Sequence, residues 1–254
     1  ECTELASVRQ VLLPLKAQTI INCAAFVRVD DCESLGREAF AVNAIGALNV
    51  ARVAAESGAK CVYISTDYVF DGSKDSPYVE SDPTAPINVY GASKLAGEHL
   101  VQQAAPNWLI VRVASLFGKT GARGKGGNFV ETILAKARTG EPLKVVDDIL
   151  ISPTYARDAA QAIAQLLEAD ARRIVHAVNS GWCTWHEFAK TALELCRVTA
   201  LIDPVPSSQF PTPARRAKNS ALASARLTCD FKITMPHWRD ALRAYLGEKG
   251  HLPS

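Results

Sequence analysis

No stretch of this 254-residue sequence holds the roughly 18 to 20 apolar residues that a membrane-spanning helix needs. No charged leader followed by an apolar run opens it either. Net charge is nearly absent: 28 basic against 26 acidic residues leave a formal +2. That balance gives no electrostatic ground for binding nucleic acid or an anionic membrane. The basic pairs Arg172-Arg173 and Arg215-Arg216 are short and are expected to be solvated. Seven cysteines (Cys2, Cys23, Cys32, Cys61, Cys183, Cys196, Cys229) are scattered, odd in number and never spaced Cys-x-x-Cys. The pattern argues against a zinc site and a disulfide framework, and it suits a reducing cytosol. Internal repeats and low-complexity tracts are missing as well.

What the sequence does have is apolar material, 48% of its residues, enough for one large core with a smaller lobe. Short apolar runs of buried-strand type lie at 19–25, 60–65, 108–114, 143–147 and 174–178. Helical patterns alternate with them at about 37–57, 89–103, 129–138, 155–169 and 184–198. Strand and helix in alternation predict an α/β fold, a Rossmann-like doubly wound parallel sheet. Beyond residue 171 the pattern loosens into shorter elements and proline-rich turns. The expected division is a dinucleotide-binding domain over 1–170 and a small substrate-binding lobe over 171–254, interleaved with it.

The chemistry concentrates in Tyr90-Gly-Ala-Ser-Lys94 and in Thr66, 24 residues earlier in the run Val62-Tyr-Ile-Ser-Thr-Asp-Tyr-Val-Phe70. A tyrosine and a lysine four apart share a helix face, so the ammonium is expected beside the phenol oxygen. A positive charge there lowers a tyrosine pKa from its usual value of about 10, toward the range where general acid/base catalysis works best. Thr66 is expected at the carboxyl end of a strand, where open α/β sheets bind ligands, with its hydroxyl available to a carbonyl oxygen. The three suit ketone reduction by hydride. Alone, however, Tyr-x-x-x-Lys is more often an ordinary helix-surface pair.

The surrounding segments resemble the extended short-chain dehydrogenase/reductases, and among them the dTDP-4-dehydrorhamnose reductase family. They are Ile20-Ile-Asn-Cys-Ala-Ala-Phe26, Val42-Asn-Ala-Ile-Gly46, Ile64-Ser-Thr-Asp-Tyr-Val-Phe-Asp-Gly72, and Pro86 through Gly97. Gly127-Asn-Phe-Val130, Val145-Val-Asp-Asp148, Ser152-Pro-Thr154 and Phe210-Pro-Thr-Pro-Ala-Arg-Arg216 continue the series. The resemblance implies NADPH- or NADH-dependent reduction of the 4-keto group of a dTDP-4-keto-6-deoxyhexose in the cytoplasm. It makes Tyr90 the acid, Lys94 its tuner and ribose contact, and Thr66 the group that orients the substrate oxygen. Ala24, Ala25, Phe26, Asn43 and Ser65, with Tyr90 and Lys94, fall at cofactor positions; Thr66, Asp67, Ser115 and Asn128 fall on the substrate side. Plain strand packing for 24–26 and an internal cap for Asn43 are the duller alternatives. Ser115 stands where many members carry a tryptophan, which loosens the identity of the sugar. A nucleotide-sugar is the expected partner molecule, and the resemblance leaves room for a homodimer. It implies no metal, because one carboxylate of the magnesium site some members have falls outside this sequence. A competing class is a docking protein of the same fold, like the regulatory subunit of methionine adenosyltransferase.

Members of the family begin with a strand, a glycine-rich turn and a helix that receives the cofactor pyrophosphate. This sequence opens instead on Glu1-Cys-Thr-Glu-Leu-Ala-Ser-Val-Arg9, without Met. The expectation is a fragment that lacks about 30 to 40 residues, the length of a βαβ unit. Gly118-Lys-Thr-Gly-Ala-Arg-Gly124 matches the dinucleotide fingerprint as a pattern, with Asp147 beyond it. Lys125, Gly126, Gly127 and Asn128 intervene before the next helix, however, so a substrate-side loop is expected, with Lys119, Arg123 and Lys125 near a diphosphate. His186-Glu187 is half of a zinc-protease motif, since Lys190 occupies the second histidine's place; a helix start capped by Thr184 is expected.

Overall fold

Four of the five apolar runs become neighbouring strands. The computed structural model describes residues 1–120 and 127–253. Its elements run α1 (Leu5–Leu12), β1 (Thr19–Asn22), α2 (Val29–Ser34), α3 (Gly36–Phe40), a π turn over Ala41–Ile45, α4 (Gly46–Ser57), β2 (Lys60–Thr66), α5 (Val89–Ala104) and β3 (Trp108–Val113). Then come β4 (Leu116–Phe117), α6 (Phe129–Arg138), β5 (Leu143–Val146), β6 (Leu150–Ile151), β7 (Thr154–Tyr155), α7 (Ala156–Glu168) and β8 (Arg173–His176). The last are β9 (Cys183–Thr184), α8 (Trp185–Leu195), β10 (Ile202–Val205), α9 (Ala225–Cys229) and α10 (Trp238–Glu248). The large sheet has the order β1-β2-β3-β8 and is parallel throughout.

Strand side chains alternate between faces, and here each face meets helices. Cys61, Tyr63 and Ile110 pack with α4 and α5, while Val62, Leu109 and Val111 pack with α7 and α9. A parallel sheet covered on both faces is the doubly wound arrangement. The run at 143–147 departs from expectation. As β5 it pairs in parallel with β10, in a separate two-stranded sheet. The physical reason is a second core, in which Leu143 and Val145 join α6, α8 and α10 around Phe117, Phe188 and Trp238. An apolar run says that a strand is buried; it does not say in which core.

Candidate active site

β2 delivers the first group. Thr66 ends the strand, and its Oγ1 accepts from the backbone N–H of Tyr68, capping the short turn Asp67–Val69. Its hydroxyl donates to Asp67 Oδ1 at 3.0 Å. α5 delivers the second group. Asn88 caps that helix by accepting from the N–H of Gly91 at 2.8 Å, and Tyr90 lies one residue into the helix, edge-on to Tyr68 with ring centroids 5.4 Å apart. Burial raises the Tyr90 phenol above its ordinary pKa and the nearby Asp67 carboxylate adds to this, while the Thr66 hydroxyl pulls the other way. The expectation of a lysine-lowered phenol is therefore corrected. The Lys94 ammonium is directed instead to the Ile64 carbonyl at 2.7 Å and to the Tyr63 ring face, 4.0 Å from its centroid. Burial pulls Lys94 itself down to about 7, against the opposing charge of Glu98.

Asp67 and Ser115 line a cavity of about 450 Å³ that extends past Phe129, Trp185, Phe210 and Arg216. Ser115 holds a left-handed backbone, φ 42°, and supplies a small side chain to that wall. Asn128 is bonded within the fold. Its Oδ1 accepts from the N–H of Glu131 to cap α6, and its Nδ2 donates to the Gly118 carbonyl and the Tyr245 hydroxyl, both at 2.9 Å. Ser65 is likewise redirected. One residue before Thr66 on the strand, it faces the other side of the sheet and donates to Glu98 Oε1 at 2.5 Å. Arg216 is not simply solvated, because it forms a two-pronged pair with Asp30 at 2.9 and 2.8 Å. Lys119 lies 3.4 Å from Glu248; Arg123, Lys125 and most of the Gly118–Gly124 pattern lie outside the described residues. Thr184 caps α8 through the N–H of Glu187, as expected.

On the far side of β2, the loop after β1 carries Ala24, Ala25 and Phe26. Asn43, buried in the π turn, clamps Phe26 by accepting from its N–H at 2.8 Å and donating to its carbonyl at 3.2 Å. It also donates to Ser93 on α5. Tyr63 closes the joint by donating to the Asn43 carbonyl at 2.8 Å.

The family model described as the RmlD substrate binding domain matches residues 1–250. The chain belongs to the dTDP-4-dehydrorhamnose reductase family. It is 38% identical to the dTDP-4-dehydrorhamnose reductase of Burkholderia thailandensis, over 93% of this chain and 83% of that protein. It is 34% identical to the Escherichia coli reductase, over 95% of this chain and 83% of that one. The crystal structure of the Bacillus anthracis dTDP-4-dehydrorhamnose reductase in complex with NADP superposes with a TM-score of 0.93 at 38% identity, covering 98% of this chain and 86% of that chain.

Within the dTDP-4-dehydrorhamnose reductase family, the ledge formed by Ala24, Ala25 and Phe26 suits a dinucleotide. Ala24 is exposed and Ala25 half-buried, so backbone is open to close approach. An ammonium has three donors; the Ile64 carbonyl takes one from Lys94 and two are left. Sequence reasoning missed Glu98 and Arg112. Glu98, one turn beyond Lys94, is gripped by Arg112 at 2.9 and 2.7 Å and by Ser65. The spacing Tyr90, Lys94, Glu98 was the available signal, one helix face carrying three polar groups at four-residue steps.

Proposed function

We propose that the chain reduces the 4-keto group of a dTDP-linked 6-deoxyhexose, of the dTDP-4-dehydrorhamnose to dTDP-rhamnose type, with NADPH or NADH. The observation that carries this reading is the meeting of Thr66, Asp67 and Tyr90 at the carboxyl end of β2, beside the cavity, with Lys94 one turn further along α5. The naming of the Burkholderia and Escherichia relatives supports it, as does NADP in the Bacillus structure. Residues 1–170 carry the cofactor-side positions, while Trp185, Phe210 and Arg216 of 171–254 contribute to the cavity wall. No helix among the described residues is long and apolar enough to cross a membrane, and the scattered, odd-numbered cysteines suit a reducing cytoplasm.

A bound reduced nicotinamide supplies the hydride that adds to the carbonyl carbon. As the carbonyl electrons move onto oxygen, the Tyr90 O–H bond breaks toward that oxygen, giving an alcohol and a phenolate. The burial that raises the phenol keeps it protonated beforehand, which is the state an acid needs. Lys94, held by the Ile64 carbonyl, has two donors left for the cofactor side, and Thr66 holds the substrate oxygen in line. A half-buried phenol with a buried ammonium one turn along its helix serves reduction; docking needs neither. The test is NADPH oxidation by the complete gene product with dTDP-4-keto-6-deoxyhexose. Tyr90→Phe is expected to lower turnover by about 10² to 10⁴ while cofactor affinity stays nearly intact. A mutant with full rate refutes the assignment.

A further inference from the structure

Asp67 is enclosed more deeply than a carboxylate that merely touches a sugar hydroxyl requires. It is 4% exposed, and the Thr66 hydroxyl donates to its Oδ1 at 3.0 Å. The Ser220 hydroxyl and the backbone N–H groups of Asp67 and Tyr68 converge on it as well. A threonine hydroxyl owns one proton. While that proton points at Asp67, Thr66 Oγ1 is left only as an acceptor. A ketone oxygen is also only an acceptor, so in this state Thr66 cannot hold it.

We propose that Asp67 is a positioning residue which sets the direction of the single Thr66 proton. In the neutral form the Asp67 carboxyl donates to Thr66 Oγ1, and Thr66 donates in turn to the substrate carbonyl oxygen. One proton passes from water to the Asp67 carboxylate, the Thr66 hydroxyl rotates, and no bond to carbon changes. Binding of the ketone thus takes up one proton. The inference rests on the reductase reading for its substrate and adds to that reading a role acting through Thr66.

The surroundings support a neutral Asp67. Burial already raises its pKa to about 6, and a substrate seated in the cavity that Asp67 lines displaces the remaining water, raising it further. The ionisable groups around it offer no opposing cation. Tyr90 of α5 and Tyr68 beside it are phenols that burial keeps protonated. Arg216, near Tyr68, is committed to Asp30 of α2, and Lys94 is turned to the Ile64 carbonyl. Among the described residues no ammonium or guanidinium donates a hydrogen bond to Asp67.

Two measurements on the complete gene product decide the matter. Infrared titration of the Asp67 carboxyl, assigned by difference against Asp67→Asn, needs no substrate. Thr66→Val removes a donor to the carboxylate and is expected to move the Asp67 midpoint to higher pH; an unmoved midpoint overturns the coupling. The second measurement is kcat and KM against pH for the dTDP-4-keto sugar. Wild-type kcat is expected to rise on the order of tenfold from pH 7.5 to 6 as Asp67 takes up its proton. Asp67→Asn loses that rise while KM changes little. A raised KM with the pH profile of kcat intact assigns Asp67 to plain substrate contact and overturns the proposal. Absence of wild-type turnover sinks the reductase reading instead, and the infrared arm still decides whether Asp67 and Thr66 are coupled.

Discussion

A glutamate only 1% exposed is tolerable when its charge is matched, and Glu98 is matched closely. Arg112 grips both its oxygens, and the Ser65 hydroxyl adds a third bond. Removing one partner strands the other's charge in the interior, which typically costs about 3 to 5 kcal/mol, whereas replacing both with apolar groups is far milder. Glu98→Leu is accordingly expected to lower the urea midpoint strongly, and the double change with Arg112→Met to recover most of the loss. Double-mutant stability measurements check this. At this scale the sequence was legible where residue type sets a local bond, as in Thr184, which caps α8. It was misleading where chemistry depends on what lies opposite. The phenol moves up because burial outweighs a lysine that is turned to Ile64, and Ser65 belongs to Glu98 because that glutamate lies across the sheet face from it.

At the scale of elements, α5 docks unusually close to its neighbours. A Cβ on Gly91 would stand 2.1 Å from the Tyr68 carbonyl oxygen, and one on Gly97 would stand 2.3 Å from the Asn43 carbonyl oxygen. Both obstacles are backbone, which cannot swing aside. Gly97→Ala is therefore expected to destabilise the fold by about 1 to 3 kcal/mol and to loosen the Asn43 clamp on Phe26. Thermal unfolding and cofactor titration measure the two effects, and a fully stable variant with unchanged affinity contradicts the packing argument. Helix extents were readable from period and caps: the pattern at 129–138 became α6 (Phe129–Arg138), and that at 89–103 became α5. The π turn at Ala41–Ile45 was not readable. It inserts Asn43 into the joint between the Phe26 loop and α5, and that insertion depends on contacts 17 and 50 residues away along the chain.

For the whole molecule, two buried groups pull stability in opposite directions on acidification. His176 is held neutral by burial, its pKa lowered to about 3. Below about 6.5 the unfolded chain therefore binds a proton that the folded chain refuses, and stability falls with pH. Asp67, raised to about 6, does the reverse: between about 4 and 6 the folded chain holds the extra proton, so stability is gained as pH falls. The two slopes largely cancel across that window. Asp67→Asn removes only the compensating one, so its stability is expected to fall, relative to wild type, by about 1 kcal/mol for each pH unit from 6 to 4. Urea midpoints at three pH values test it, and parallel curves would contradict the linkage. By itself the sequence determined the fold class, the family and the extent of α5, because alternation of apolar runs and the residues that start a helix are local in the chain. Only the tertiary structure decided that β5 serves a second core, that Asn128 is a helix cap, and that burial sets the proton affinities of Tyr90, Lys94 and Asp67. Each of those depends on which distant segments exclude water from a side chain, and exclusion of water is a property of the packed molecule.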